Sequence, residues 1–304
     1  MGLPELPLVT VIIPTFNRRE IVKEAVKSVL DQDYPKIEVI VVDDGSIDGT
    51  GEELKEAFGP KIKYIYQNHG GASRARNKGV IEAKGDLVCF LDSDDLMTPN
   101  SVSSRVRCFL EDERCEVAYG IGVKERRYRG KERLLLKKTF PSGYILKEYV
   151  RDPFITNNDY MISKSNMLAY GMYKEDLTNL EDFEFFVRLS HKLFFKYCGT
   201  ITSLLRDKGQ RARHNFENII AQGTKAIDHI FADHELSLVL KEEKNRLYGE
   251  SFLRVAKANL KLRRPREFRR YFKMAREIYP SAKWNLKFWR RWLLSLFLSF
   301  KIKQ

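Results

Sequence analysis

The chain lacks the patterns that announce several common chemistries. It has 4 cysteines in 304 residues, Cys89, Cys108, Cys115 and Cys198, with no CxxC pair among them. That argues against a zinc site and a disulfide framework, and suits a reducing compartment. No apolar run reaches the roughly 18–20 residues needed to span a bilayer. The N-terminus lacks the basic-then-apolar order of a secretory signal. The expected location is therefore cytoplasmic, peripheral on the inner face of the cell membrane through the tail described below. There is no GxGxxG after the first apolar run and no GxxxxGK[ST] anywhere. A dinucleotide fingerprint and a phosphate-cradling P-loop are both disfavoured. Phosphates would have to be met by a metal and by basic side chains such as Arg74, Arg76 or Lys78.

Acidic residues are scarce in one part only. From Ile201 to Gln304 there are 24 Lys and Arg against 10 Asp and Glu, a net of +14, whereas the first 200 residues are nearly neutral. A neutral body with a basic tail points to an anionic surface as partner. Nucleic acid is disfavoured, because the cations are not interleaved with a stacking-aromatic platform or a recognised motif.

What is present in the first half is a regular alternation. Leu8 to Pro14 is almost wholly apolar and β-branched, so it predicts a buried strand. Ile21, Val22, Ala25, Val26, Val29 and Leu30 fall on one helical face. Ile37–Val42 predicts a second strand, Asp48-Gly49-Thr50 opens a helix to about Phe58, and Ile62–Tyr66 predicts a third strand. Another helix runs from about Ala72 to Ala83, and Leu87–Leu91 predicts a fourth strand that ends in Asp92, Ser93, Asp94 and Asp95. Strands alternating with helices in this way imply an α/β fold with a mostly parallel, Rossmann-like sheet. Ligands of such sheets bind at the carboxyl ends of the strands. Pro14-Thr15, Asp43-Asp44, Asn68–Gly71 and Asp92–Asp95 all fall there, and four polar clusters on one edge imply a pocket. Carboxylates crowded at a strand end suit a hard divalent cation, which commonly takes one or two of them plus substrate phosphate oxygens.

The residues that carry these features also carry a resemblance. Val11-Ile12-Ile13-Pro14-Thr15-Phe16-Asn17-Arg18, Val41 to Ser46 with Asp48-Gly49-Thr50, Ala75-Arg76-Asn77-Lys78-Gly79 and Gly85 to Asp95 resemble family 2 glycosyltransferases, the inverting nucleotide-sugar enzymes of the GT-A fold. The resemblance spans roughly the first hundred residues. It implies that Pro14 and Thr15 line the base and ribose pocket, and that Asp44 accepts a hydrogen bond from the base, which favours uridine. It implies that Asp92-Ser93-Asp94 is a DxD motif, with Asp92 near the ribose and Asp94 on a divalent cation, Mn or Mg. Arg76 is a candidate for the nucleotide sugar's phosphates. Asp95 has no assigned role and reads as a cap for the helix after it, since Thr98-Pro99 suits a helix start.

Further on, Ile155 to Tyr160 could face an acceptor. Phe183, Phe186, Val187 and Leu189 give a helical apolar face with Glu181 and Asp182 in its first turn. Acids there can simply complement the helix dipole. The resemblance instead implies that Asp182 is the catalytic base and Glu181 a neighbouring or acceptor contact. Arg211 or His214 could close over the donor pyrophosphate.

Three regions are expected: a GT-A domain over 1–215, a helical extension over 216–282 that resembles one TPR-like hairpin, and a basic-aromatic tail over 283–304. The tail's Trp292–Phe300 run is too short to span but suits a helix lying in a membrane interface. The expected function is an inverting transferase that moves sugar from a UDP-type donor to a saccharide or lipid-linked saccharide acceptor. A polyprenyl-phosphate sugar synthase and a non-catalytic sugar-nucleotide-binding module are the alternatives, and homo-oligomers remain open.

Overall fold

The structure, a computed structural model, describes residues 6–125, 140–206 and 215–280. They divide into two compact units: Met1–Asp176 with Phe185–Gly209, and Leu177–Glu184 with Gln210–Gln304. The second unit thus takes in a short segment that falls inside the 1–215 span.

The first unit is built on a mixed sheet. Its strands are β1 (Val9–Thr15), β2 (Ile37–Asp43), β3 (Lys63–Tyr66), β4 (Leu87–Phe90), β5 (Leu96–Met97), β6 (Val117–Lys124), β7 (Tyr160–Ser163) and β8 (Phe195–Leu205), in the order β3-β2-β1-β4-β7-β6-β8-β5. β1 pairs in parallel with β2 and β4, and β2 with β3. β7 runs antiparallel to β4 and β6, which makes the sheet mixed. β1 and β4 are buried along their whole length. That explains why both read as unbroken apolar runs rather than as alternating ones.

Helices α1 (Arg19–Leu30), α2 (Thr50–Phe58), α3 (Ala72–Glu82) and α4 (Ser101–Glu111) follow β1, β2, β3 and β5. Val22, Ala25, Val26 and Val29 of α1 join Val9, Val11, Ile13, Val39, Val41 and Leu87 in one core. α3 lies close against β1 at Gly79, where a Cβ would come within 2.4 Å of Ile12 Cγ2. Two short helices, α5 (Leu146–Arg151) and α6 (Lys164–Ala169), precede α7 (Glu181–Lys192).

The second unit is helical: α8 (Phe216–Gln222), α9 (Lys225–Ala232), α10 (His234–Val239), α11 (Lys244–Lys261) and α12 (Pro265–Ile278). α11 and α12 pack on one another as a helical pair. Pro265 stands at the first position of α12, where its missing N–H costs nothing. Ala256, Phe268 and Phe272 form the hairpin's core, with Leu253, Leu260 and Tyr271 packed on it. No helix among the described residues is long and apolar enough to cross a membrane. The tail, 283–304, lies outside the described residues.

Candidate active site

Register brings the strand ends together. Thr15 pairs with Asp43 across β1 and β2, and Ile12 with Phe90 across β1 and β4. The ladder continues past the strands, with Asp44 N donating to Thr15 O at 2.9 Å and Leu91 N to Ile12 O at 3.0 Å. Pro14 and Thr15 are buried at this edge. Thr15 Oγ1 is buried there with no hydrogen-bond partner among the described residues. A buried hydroxyl left unpaired is costly.

Beyond β2, Asp44 pins a glycine turn. Its Oδ1 accepts from Gly70 N at 2.9 Å and Gln67 Nε2 at 2.7 Å. Its Oδ2 accepts from Gly71 N at 2.8 Å and lies 2.9 Å from His69 Nδ1. Asp43 is held too, by Ser46 N at 2.9 Å and Tyr64 Oη at 2.7 Å. Burial, and then that bond to a carboxylate, push the Tyr64 hydroxyl's pKa up. Gly45 sits at φ +89°, where a Cβ would come 2.9 Å from His69 N. Asn17, at φ 49°, ties the β1 loop to this one by donating to Ser46 Oγ at 2.8 Å and accepting from Ile47 N at 2.9 Å. The fixed loops leave an aromatic pair at the surface. Phe16 and His69 stack with centroids 4.3 Å apart, and Phe16 is 41% exposed.

The loop after β4 is held from several directions. Asp92 Oδ1 accepts from Arg76 Nη2 of α3 at 2.8 Å. Arg76 is buried, with its guanidinium 5.3 Å over the Tyr173 ring. Asp94 Oδ2 meets Arg18 Nη1, from the residue just before α1, at 3.0 Å. Ser93 between them is buried. Arg206, at the end of β8, donates Nε to Asp94 O at 2.8 Å and pairs through Nη1 with Glu24.

Asp95 differs from the expectation. It does not cap the next helix: α4 begins at Ser101 after Asn100, which makes no side-chain cap bond. Asp95 instead lies buried beneath the loop, accepting from Arg206 N at 2.8 Å and Asn158 Nδ2 at 2.9 Å. Burial, then the charge of Asp92, push its pKa up to about 7 against those two hydrogen bonds. Thr98 is likewise used elsewhere, donating to Ile201 O at 2.6 Å.

The Ile155–Tyr160 stretch is also corrected. Asn157, Asn158 and Asp159 are buried rather than turned to an acceptor. Asn158 accepts from Asp92 N at 2.7 Å while donating to Asp95, so it braces the loop from within. Asp159 is consumed by Thr202 and Ser203 of β8 at 2.8 and 2.7 Å.

Among the described residues no group of three or more His, Cys, Asp or Glu could hold a metal ion alone. Asp92 and Asp94 nevertheless lie two residues apart on the loop after β4, each against an arginine. One or two carboxylates are what a substrate-borne hard cation takes from protein. The residues therefore fit a divalent cation that arrives with a diphosphate, not a resident metal cage.

Glu181 and Asp182 open α7, as expected, and belong to the second unit. Asp182 is half-buried, and its Oδ1 accepts from Phe183 N at 2.7 Å. Leu180 before them takes φ 63°, an uncommon conformation for a residue with a Cβ. Such strain gathers at functional positions. Arg254 of α11 faces this turn, with Nη1 3.5 Å from Asn179 Oδ1. Desolvation of the guanidinium by its neighbours lowers the pKa of Arg254, and the charges of Asp182 and Glu181 oppose that. Arg211 and His214 lie outside the described residues.

Residues 10–169 match the profile "Glycosyl transferase family 2". The chain belongs to that family. A putative teichuronic acid biosynthesis glycosyltransferase, TuaG, of Bacillus subtilis is 41% identical over 108 residues, 34% of this chain and 43% of TuaG. A chondroitin synthase of Pasteurella multocida is 28% identical over 202 residues, 64% of this chain and 20% of the synthase. The chain thus spans less than half the length of these curated relatives. Among solved structures, S. aureus TarS 1-349 in complex with UDP-GlcNAc superposes with a TM-score of 0.59 at 20% identity, over 95% of this chain and 79% of TarS 1-349. The mannosyltransferase PcManGT of Pyrobaculum calidifontis, in complex with GDP-Man and Mn²⁺, gives 0.57 at 19% identity, over 99% and 83%. At such identities the likeness speaks to the fold, and it is the GT-A fold expected of a family 2 glycosyltransferase.

The site contains partners that sequence reasoning passed over. Arg18 and Phe16 stood inside the quoted first motif without a role. His69 lay in the glycine turn, and Asn158 in a turn assigned to an acceptor. Arg206 carried no local signal at all.

Proposed function

We propose that this glycosyltransferase is inverting, and that it moves a sugar from a nucleoside diphosphate donor, UDP favoured, to a hydroxyl of a growing glycan or lipid-linked saccharide. The observation that carries the reading is the convergence at the strand ends, where Asp92 and Asp94 each meet an arginine beside an unpaired Thr15 hydroxyl. Relatives and fold neighbours with saccharide or nucleotide-sugar names support it.

In this reading the nucleoside lies against Pro14, Thr15 and the turn that Asp44 pins, with the exposed Phe16–His69 pair offering a stacking face for the base. Asp92 faces the ribose. Asp94 would hold a divalent cation, Mn or Mg, which when bound draws off the negative charge of the leaving diphosphate. Arg18 is placed on Asp94, so an arriving diphosphate offers its guanidinium a second anion. Asp182 takes the proton from the acceptor hydroxyl. The freed oxygen attacks the anomeric carbon opposite the diphosphate, whose bond to the sugar breaks with the electron pair leaving on the nucleotide. Single displacement inverts the anomeric centre, as it does where inverting glycosidases use one carboxylate as base. The basic-aromatic stretch from Trp284 to Lys301 would hold the enzyme at an anionic membrane face, and deleting 283–304 should abolish sedimentation with anionic vesicles.

The test is product stereochemistry. A panel of UDP-sugars is turned over with saccharide acceptors and the new linkage is read by NMR. Inversion is expected, and retention would overturn the single-displacement scheme.

A further inference from the structure

The second unit carries a cleft that the donor site does not use. Its volume is about 380 Å³, and it is lined by Phe216 and Ile219 of α8 and by Glu250, Arg254, Lys257, Ala258, Leu260 and Lys261 of α11. The floor is apolar and the rim is charged. Arg254, Lys257 and Lys261 are exposed and recur at three- and four-residue steps, which sets them on one face of α11. At 1.5 Å per residue the row extends about 10 Å along the helix. The lining holds one acid, Glu250, which is ion-paired with Arg246 at 3.1 Å, against the three cations Arg254, Lys257 and Lys261. One end of the row is tied to chemistry, because Arg254 faces Asn179 and the Glu181–Asp182 turn.

We infer that this cleft binds an acidic stretch of the acceptor glycan, with carboxylate or phosphate groups of successive units held by Arg254, Lys257 and Lys261. The inference rests on the reading of Asp182 as base, and it adds the chemical class of the acceptor. A single phosphate would engage one or two cations and leave the rest of the row unused. A linear polyanion with a charge on each successive unit can meet the row along its length while its sugar faces lie on Phe216, Ile219 and Leu260. The excess of +14 carried by Ile201–Gln304 would draw such a chain in from solution.

The experiment measures binding to the full-length enzyme without donor, so that it is independent of transfer. The probes are oligogalacturonate, with one carboxylate per sugar, inorganic polyphosphate, and neutral dextran of matched length. The parent should bind an anionic probe and not dextran, with affinity that falls as salt rises. Lys257→Gln with Lys261→Gln should weaken that binding about tenfold, from two partly exposed charge contacts. The same variant should keep its melting temperature and its affinity for UDP. Equal binding of dextran, binding of neither polyanion, or unchanged affinity in the double variant would overturn the inference. So would phosphatidylglycerol vesicles binding through Lys257 and Lys261 where oligogalacturonate does not, since the cleft would then be a headgroup site. A parallel UDP titration separates the two readings: absence of UDP binding with polyanion binding intact strikes the donor assignment alone.

Discussion

The edge of the sheet and the cleft of the helical unit handle charge in opposite ways. At the sheet edge the charged groups named above are tied down. Asp44 takes Gly70, Gly71 and Gln67, Asp92 takes Arg76, Asp94 takes Arg18, and Asp95 takes Arg206 and Asn158. On α11 the row of Arg254, Lys257 and Lys261 stands exposed on an apolar floor. A small, fixed donor is best met by groups that need no rearrangement to receive it. A long and variable acceptor is better met by a field, which draws it in without fixing one geometry. On the proposed reading, the first unit recognises the donor and the second the acceptor.

The largest expected effect lies at the turn where the helical unit carries its proposed base. Asp182→Asn should lower kcat by about 10²–10⁴-fold, the usual worth of a general base. UDP affinity, measured by calorimetry, should stay within error. Unchanged turnover would remove Asp182 from the role and favour a phosphate acceptor, which needs little help from a base.

Next comes the internal brace of the sheet edge. Asn158→Ala leaves the Asp92 N–H without its acceptor and Asp95 Oδ2 without the Asn158 donor, at a residue 1% exposed. Urea unfolding should show a loss of about 3 kcal/mol, and UDP binding should weaken with it. A loss below ~1 kcal/mol would mean that the loop does not depend on Asn158.

The ion pairs allow the contrast to be measured within one interaction type. Asp92→Ala removes the carboxylate that Arg76 meets at 2.8 Å, with the Arg76 side chain 4% exposed, and should cost about 2 kcal/mol after allowance for the more open Asp92. Glu217→Gln breaks a shorter pair, 2.5 Å, with Arg264 in the helical unit, but both partners are about half exposed, and the cost should stay below ~1 kcal/mol. Equal costs would erase the distinction between a tied edge and an open one. Phe16→Ala should leave stability nearly intact and weaken UDP binding roughly five- to 150-fold, the range for one lost base–aromatic stack.

What the sequence disclosed follows the range of the forces involved. Buried strands read directly, because Val9–Pro14 and Leu87–Phe90 are apolar on both faces. The α11–α12 hairpin read from helical periodicity alone, and the Pro265 that starts α12 added a signal that went unread. The strand-end clusters read from topology, since parallel strands must deliver their carboxyl ends to one edge. The bracing did not read. Asn158 lies 66 residues from Asp92 and Arg206 lies 111 from Asp95, and no local pattern records a bond made across such a distance. Asp95 misled for a related reason. An acid shortly before Thr98-Pro99 looks like a cap, and only tertiary burial turns it into an acceptor beneath the loop. Arg18 was visible as a residue but not as the partner of Asp94, because that pairing depends on how α1 leaves β1.

The most direct test of the central claim, that the strand-end carboxylates form the donor site, is a calorimetric titration of UDP with Mn²⁺ present and absent. It is run on the parent, Asp94→Asn and Asp182→Asn. The account predicts Mn²⁺-dependent binding in the parent and in Asp182→Asn, and its loss in Asp94→Asn with the protein still folded. Binding that is indifferent to Mn²⁺ and to Asp94 would contradict it.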